Sequence, residues 1–219
     1  MAGIGLKEGM VQKSLDSVKK YLDFENGIVI NYPAFTEYVV EYGEISSYLK
    51  GYKENGSVFS HNNPWIIIGE TVLWRGDYAW DYYRKICPAY IEENCLKLHK
   101  VEAYVYSQMA AGKEAFKPGE AKNSWLTGTA AWNWYAITQF ILGIKPDYKG
   151  LLIDPCIPAD WKEYIVYRKF RGADYTITVH NNGVMKGVKK LVLNGKEIPG
   201  NLVAMLPKNS KNVVEVFMG

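Results

Sequence analysis

Val11, Leu15, Val18 and Leu22 recur at helical spacing near the start of the chain and predict an amphipathic helix that ends at the Glu25-Asn26-Gly27 turn. Asn63 before Pro64 reads as an N-cap followed by proline at the first helical position. The run Trp65-Ile66-Ile67-Ile68 then predicts a helix reaching about Ile86, where Pro88 interrupts the pattern. A third helix is expected around residues 90–98. From 130 to 142 the chain is apolar at almost every position (AAWNWYAITQFIL), and Gly143 follows as a natural C-terminal stop. A helix apolar on nearly every side belongs inside a protein.

After Asp154-Pro155-Cys156-Ile157-Pro158 the periodicity changes to that of strands. Residues 164–170, 175–180, 188–192 and 213–217 read as short strands. Between them stand the turn signals Gly172-Ala173-Asp174, Asn181-Asn182-Gly183 and Asn194-Gly195, the last suited to a tight hairpin. The expected architecture is mainly α with a β tail: a helical body over residues 1–154, then a small β-sandwich over 155–219.

Composition narrows the function classes. Apolar residues make up 48% of the 219, charged residues 22%, and the net charge is only +3. A charge so small and evenly spread argues against nucleic acid or an anionic membrane surface as partner. The 17 Tyr and 7 Trp suit a sugar-binding cleft, where flat apolar faces meet hydroxyls, and suit a large helical core equally well. The opening MAGIGLKEGM has no apolar stretch of signal-peptide length, and no run is long enough to span a membrane. Cys87, Cys95 and Cys156 are odd in number and lack metal-ligand spacing, which fits reduced thiols in a cytoplasmic protein. Three scattered histidines make a poor metal site, so no metal is expected.

The run Ser124-Trp125-Leu126-Thr127-Gly128-Thr129-Ala130 puts a glycine-softened turn directly before the apolar helix. The first turn of a helix has unpaired N–H groups and the positive end of the dipole, which attract an anion. Gly128 lets backbone approach such an anion, with the hydroxyls of Thr127 and Thr129 as further donors. The same residues also fit an ordinary capped core helix.

Several segments resemble the inverting β-glucoside phosphorylases, and cellobiose phosphorylases in particular: 31–38 (NYPAFTEY), 51–65 (GYKENGSVFSHNNPW), 104–109 and 116–158, which includes KPGEAKNSWLTGTAAW. The likeness runs from about Gly27 to Gly200. It implies the C-terminal part of an (α/α)6 barrel with a β-sandwich cap. It also implies cleavage of a sugar–sugar bond by inorganic phosphate, giving glucose 1-phosphate of inverted configuration and glucose. By the same resemblance His61 of SHNN, Thr127 and Gly128 bind phosphate, while Glu44, Tyr48, Lys53, Glu54 and Gln108 contact sugar. Phosphate is a substrate and no cofactor is implied; cellobiose or a related β-linked glucoside is the other. Leu49-Lys50 departs from the proline pair expected before GYKENG.

Inversion needs one general acid for the leaving oxygen while phosphate attacks from the opposite face. In the family that aspartate lies well upstream of the KENG motif, in a region with no counterpart here, as does a phosphate-binding arginine. Residues 1–154 have room for about half of twelve barrel helices. The chain therefore reads as a C-terminal portion with no catalytic acid of its own; Glu37, Glu44, Glu54 and Asp77 are the carboxylates near the motifs. Open alternatives are an inert sugar- and phosphate-binding fragment, half of an enzyme completed by a separate N-terminal chain, and a glycoside hydrolase using water. The family commonly forms homodimers.

Overall fold

The computed structural model describes residues 3–219, apart from the side chains of residues 92–95, so the Cys95 thiol lies outside the described residues. The chain divides into two compact units. The first comprises Met1–Gly69 with Asp81–Trp134, the second Glu70–Trp80 with Tyr135–Gly219.

In the first unit, α1 (Met10–Ser17) buries Leu15 and continues as a wider π turn over Val18–Leu22. It ends at the expected turn because β1 (Asp23–Phe24) and β2 (Gly27–Ile28) pair across Glu25-Asn26. Gly27 has φ 129°, and a Cβ there would sit 2.7 Å from Val58 Cγ1 and 2.9 Å from Ile86 Cγ2. A 3-10 stretch, Val40–Ser46, is broken at Gly43. Next come β3 (Val58–Phe59), a 3-10 turn over Ser60–Asn62, and α2 (Asn63–Val72). Then follow α3 (Gly76–Ile86), α4 (Pro88–His99), β4 (Ser107–Ala110), β5 (Ala121–Ser124) and α5 (Thr129–Ala136), which continues as a π turn over Ile137–Ile141.

The single helix expected from 63 to 86 is two. Trp74 takes a left-handed φ of 63°; its N–H bonds the Thr71 carbonyl and the Arg75 N–H reaches back to the Glu70 carbonyl, the closing pattern of a helix end. Glycine usually occupies that position, so a tryptophan there hides the stop from the sequence. Gly76 is held close to the Ile157 carbonyl, where a Cβ would lie 2.0 Å from the oxygen. Asn63 is not an N-cap either. Its buried amide accepts from Ile28 N–H (2.7 Å) and donates to the Ile28 and Phe59 carbonyls, tying the hairpin to β3. Nor is the 130–142 helix enclosed: Trp134 is 65% exposed, while Ala136 and Ile141 are fully buried.

The second unit opens in α2 and α3 and resumes inside α5. Its strands are β6 (Ile144–Pro146), β7 (Gly150–Ile153), β8 (Glu163–Phe170), β9 (Ala173–Asn181), β10 (Val188–Leu193), β11 (Lys196–Ile198), β12 (Leu202–Ala204) and β13 (Lys211–Met218). They form a sheet of order β11-β10-β13-β9-β8, parallel only between β13 and β9, and an antiparallel sheet β12-β7-β6. All four expected strands are present, each slightly longer than its apolar run. Arg171-Gly172 and Asn194-Gly195 both have two residues at positive φ, as two-residue hairpin turns require. Burial alternates along β9 and β13, and Ile177, Val179, Leu191, Val214 and Val216 are fully buried with Leu151, Ile153 and Ile157. Gly143, at φ 70°, ends the preceding helix as expected, pressed against Asp154-Pro155.

The fold is thus mixed rather than mainly α with a β tail. Helices alternate with strands of two to four residues in the first unit, and strands so short inside glycine-rich loops leave no alternation to read. Among the described residues no helix is long and apolar enough to cross a membrane.

Candidate functional site

In the first unit, β4 lies between β3 and β5 and runs antiparallel to both. The outer strands therefore point the same way and leave the sheet at the end where β4 enters. From β3 the chain continues through Ser60 into His61; from β5 it continues through Trp125 and Leu126 to Thr127 and Gly128. Residues 61 and 128, distant in sequence, meet: a Cβ built on Gly128 would sit 3.2 Å from His61 Cε1 and 3.4 Å from Nδ1. The imidazole meets Trp65 edge-on at 5.2 Å, and Trp65 meets Trp132 of α5 likewise at 5.8 Å. These rings hold one side of the histidine while leaving it half exposed. Thr127 Oγ1 lies 2.5 Å from Thr129 Oγ1 and accepts from the Thr129 N–H at 3.2 Å. All three residues expected to bind phosphate are thus gathered at the opening of α5.

The expected sugar-contacting residues form two groups in the same unit. Lys53, at φ 50°, donates through Nζ to Gln108 Oε1 at 2.8 Å, and Asn123 Nδ2 donates to the same oxygen at 2.8 Å. Tyr48 faces Glu44 and Glu54. Its hydroxyl is held above the ordinary tyrosine range, first by partial burial and then by the charges of Glu44 and Glu54 and a hydrogen bond to Glu44. One oxygen of Glu54, Oε2, is buried and has no hydrogen-bond partner.

The loop that presents Lys53 and Glu54 is held by a buried residue the motif reading passed over. Asn55 accepts from Phe35 N–H (2.7 Å) and donates to the carbonyls of Phe35 (3.1 Å) and Tyr48 (2.7 Å). Gly51 and Gly112 bring backbones together: Gly112 N–H donates to the Gly51 carbonyl at 2.8 Å, and a Cβ on Gly112 would meet Gly56 O at 1.9 Å. The Lys53 N–H points at Met109 Sδ, 3.1 Å away on the buried face of β4. Glu114 accepts from Ala34 N–H at 2.7 Å and so fixes the NYPAF segment. Asn123 had a sequence signal, its place inside KPGEAKNSW. Asn55 had one, its place inside KENG.

Of the remaining carboxylates, Glu37 is exposed, and Asp77 lies in the second unit, accepting weakly from Ala159 N–H at 3.3 Å.

Residues 1–143 match the catalytic domain of the glycosyl hydrolase 94 superfamily. The chain belongs to that family. Among its relatives, an N,N'-diacetylchitobiose phosphorylase of Vibrio furnissii is 39% identical over 95% of this chain and 26% of its own length. A solabiose phosphorylase of Paenibacillus borealis is 35% identical over 98% of this chain and 28% of its own. The chain thus spans about a quarter of the length of these glycosyl hydrolase 94 relatives. A family GH92 α-mannosidase structure from Bacteroides thetaiotaomicron covers 97% of this chain at 13% identity, with a TM-score of 0.34 and 22% of its own length matched.

Proposed function

We propose that the chain is the phosphate-binding C-terminal part of a glycosyl hydrolase 94 disaccharide phosphorylase, built on part of an (α/α)6 barrel. A phosphate oxygen attacks the anomeric carbon, the glycosidic C–O bond breaks, and a proton passes to the leaving oxygen from an acid outside these residues. The products are a sugar 1-phosphate of inverted configuration and a free sugar. Phosphate is a substrate, and no metal or organic cofactor enters the reaction. The reading is supported chiefly by the meeting of His61 with Gly128 at the opening of α5. An imidazole, a bare glycine backbone and the Thr127 hydroxyl there offer donors to one dianion, with the helix dipole aligned to it, while the buried Thr129 hydroxyl bonds Thr127 Oγ1. Glu44, Tyr48, Lys53, Glu54 and Gln108 supply the paired acceptors and donors that neighbouring sugar hydroxyls need.

The relatives named for N,N'-diacetylchitobiose and solabiose widen the substrate beyond cellobiose, and a chitobiose-type disaccharide is the first choice. The setting we assign is cytoplasmic, where phosphate is available. Isothermal titration of the purified chain with inorganic phosphate tests the reading, beside His61→Ala. Phosphate binding that weakens at least about tenfold in the variant supports it. Binding indifferent to His61, or none in a folded chain, overturns it. Release of sugar 1-phosphate from N,N'-diacetylchitobiose, cellobiose and solabiose, after addition of the upstream portion, then ranks the substrates.

A further inference from the structure

Gln108 in β4 stands directly opposite Asn123 in β5, in the row between the pairs Ser107–Ser124 and Met109–Lys122. On its other side β3 pairs with β4 at Val58–Ala110 and Phe59–Met109, then leaves the sheet in the 3-10 turn that begins at Ser60. Asn123 is therefore the cross-strand neighbour of Gln108 among the described strands, and such neighbours share a face.

Asn123 takes a left-handed φ of 55°. Glycine, asparagine and aspartate adopt that region most readily, and of the three asparagine alone carries a side-chain N–H donor. That donor is used. Asn123 Nδ2 and Lys53 Nζ both point at Gln108 Oε1, each at 2.8 Å. An ammonium group has protons and no lone pair, so the Gln108 atom that faces it has to be the oxygen. By the same logic the Asn123 atom that faces this oxygen has to be its NH2. The orientation of both amides thus follows from the charge on Lys53. With Oε1 accepting two bonds, what Gln108 has left is Nε2 and its two N–H donors, which meet no acceptor among the described residues.

We propose that Asn123 is a positioning residue: with Lys53 it holds the Gln108 oxygen against the protein and turns the NH2 outward, so that Gln108 offers a ligand donors only. Lys53 by itself is a weak lock, because its flexible stem can follow the amide. Asn123 is short and fixed in the strand. That the ligand is a sugar rests on the proposed phosphorylase function. In that setting a sugar hydroxyl at Gln108 accepts, and gives its own proton to another group.

Nitrogen-15 NMR of the 219-residue chain tests this at the Gln108 side-chain NH2, identified by its loss in Gln108→Glu. The NH2 should be rigid in the parent and become mobile in Asn123→Gly, which accommodates the same φ without a donor. Asn123→Asp, of equal size with acceptors only, should shift the NH2 signals. Backbone signals outside β4 and β5 should stay in place in both variants, which separates a local release from unfolding. Titration with N,N'-diacetylchitobiose should move the Gln108 NH2 signals in the parent, with affinity about fivefold lower in Asn123→Gly. A Gln108 NH2 as mobile in the parent as in Asn123→Gly overturns the inference. So does one that neither variant changes, or a sugar affinity equal in parent and Asn123→Gly. A rigid NH2 that Asn123→Gly releases, but that no sugar moves, upholds the positioning and overturns the sugar contact assigned to Gln108 instead.

Discussion

In the second unit the middle strands, β9 and β13, have ladder partners on both sides, whereas in the first unit the loop from Asn31 to Ser57 takes several of its partners from buried or half-buried side chains. Asn55, Asn63 and Glu114 together bond backbone groups from Ile28, Ala34, Phe35, Tyr48 and Phe59. The candidate site sits in the unit held this second way. Ladders impose regular geometry, and a pocket for a dianion and a sugar needs irregular geometry, with Lys53 and Trp125 at positive φ. Buried amides satisfy such a backbone without straightening it.

The comparison breaks first at Asn55. Asn55→Ala leaves the Phe35 N–H and two carbonyls unpaired and should cost about 3 kcal/mol or more, read by urea unfolding. A loss below about 1 kcal/mol would show that the loop is not held by this residue. In the second unit Val216→Ala, at a fully buried position between Leu191 and Val179, should cost about 2 kcal/mol. If the sheet lost more from this one valine than the loop loses from Asn55, the contrast drawn above would be reversed.

Acid and base sharpen it further in the second unit. Burial alone would raise the Asp154 carboxyl, but the bonds and charges of Lys186 and Lys145, at 3.0 and 3.1 Å, more than offset it and hold it below its ordinary value. A carboxylate depressed in the folded state stabilises above its ordinary range and loses that contribution as pH falls through the folded value. Unfolding against pH should therefore show a drop in stability on acidification below about pH 4, blunted in Asp154→Asn. Burial pushes the Cys156 thiol up to about 12, the Lys186 and Asp154 charges acting in opposite directions. Its folded form resists ionisation, so stability should also decline as pH climbs above about 9. Cys156 should react with a thiol reagent only on unfolding, ahead of which the half-buried Cys87 reacts.

The smallest stability effect belongs to Gly128→Ala. The exposed position tolerates a methyl, yet that methyl would crowd His61 at 3.2 Å. Stability should change by less than about 0.5 kcal/mol while phosphate affinity drops about tenfold by titration. Unchanged affinity would mean that Gly128 is merely a helix opening.

In the second unit β8, β9, β10 and β13 were legible because they are long enough to alternate and their turns carry Asn-Gly and Gly in the positions that need them, whereas the three- and four-residue β6, β7, β11 and β12 were not. In the first unit the legible parts were those with local signals: α1 and its turn, and the break at Pro88 ahead of α4. What escaped were strands held by distant partners, such as β3 with β4, and a helix end at Trp74 where glycine would have announced it. Site residues were recognised from motifs, but their grouping was not. That His61 and Gly128 touch depends on the order β3-β4-β5, which no local pattern states.

That order has a mechanical side. The arms bearing His61 and Gly128 hang from separate strands that both pair with β4, like two jaws on one spindle. Met109 fills the spindle's buried face and also meets the Lys53 N–H, so it bears on both jaws and on the loop beside them. The gap between the jaws can then be reset by exchanging one hidden side chain for another of different girth, leaving every residue that meets a ligand as it is.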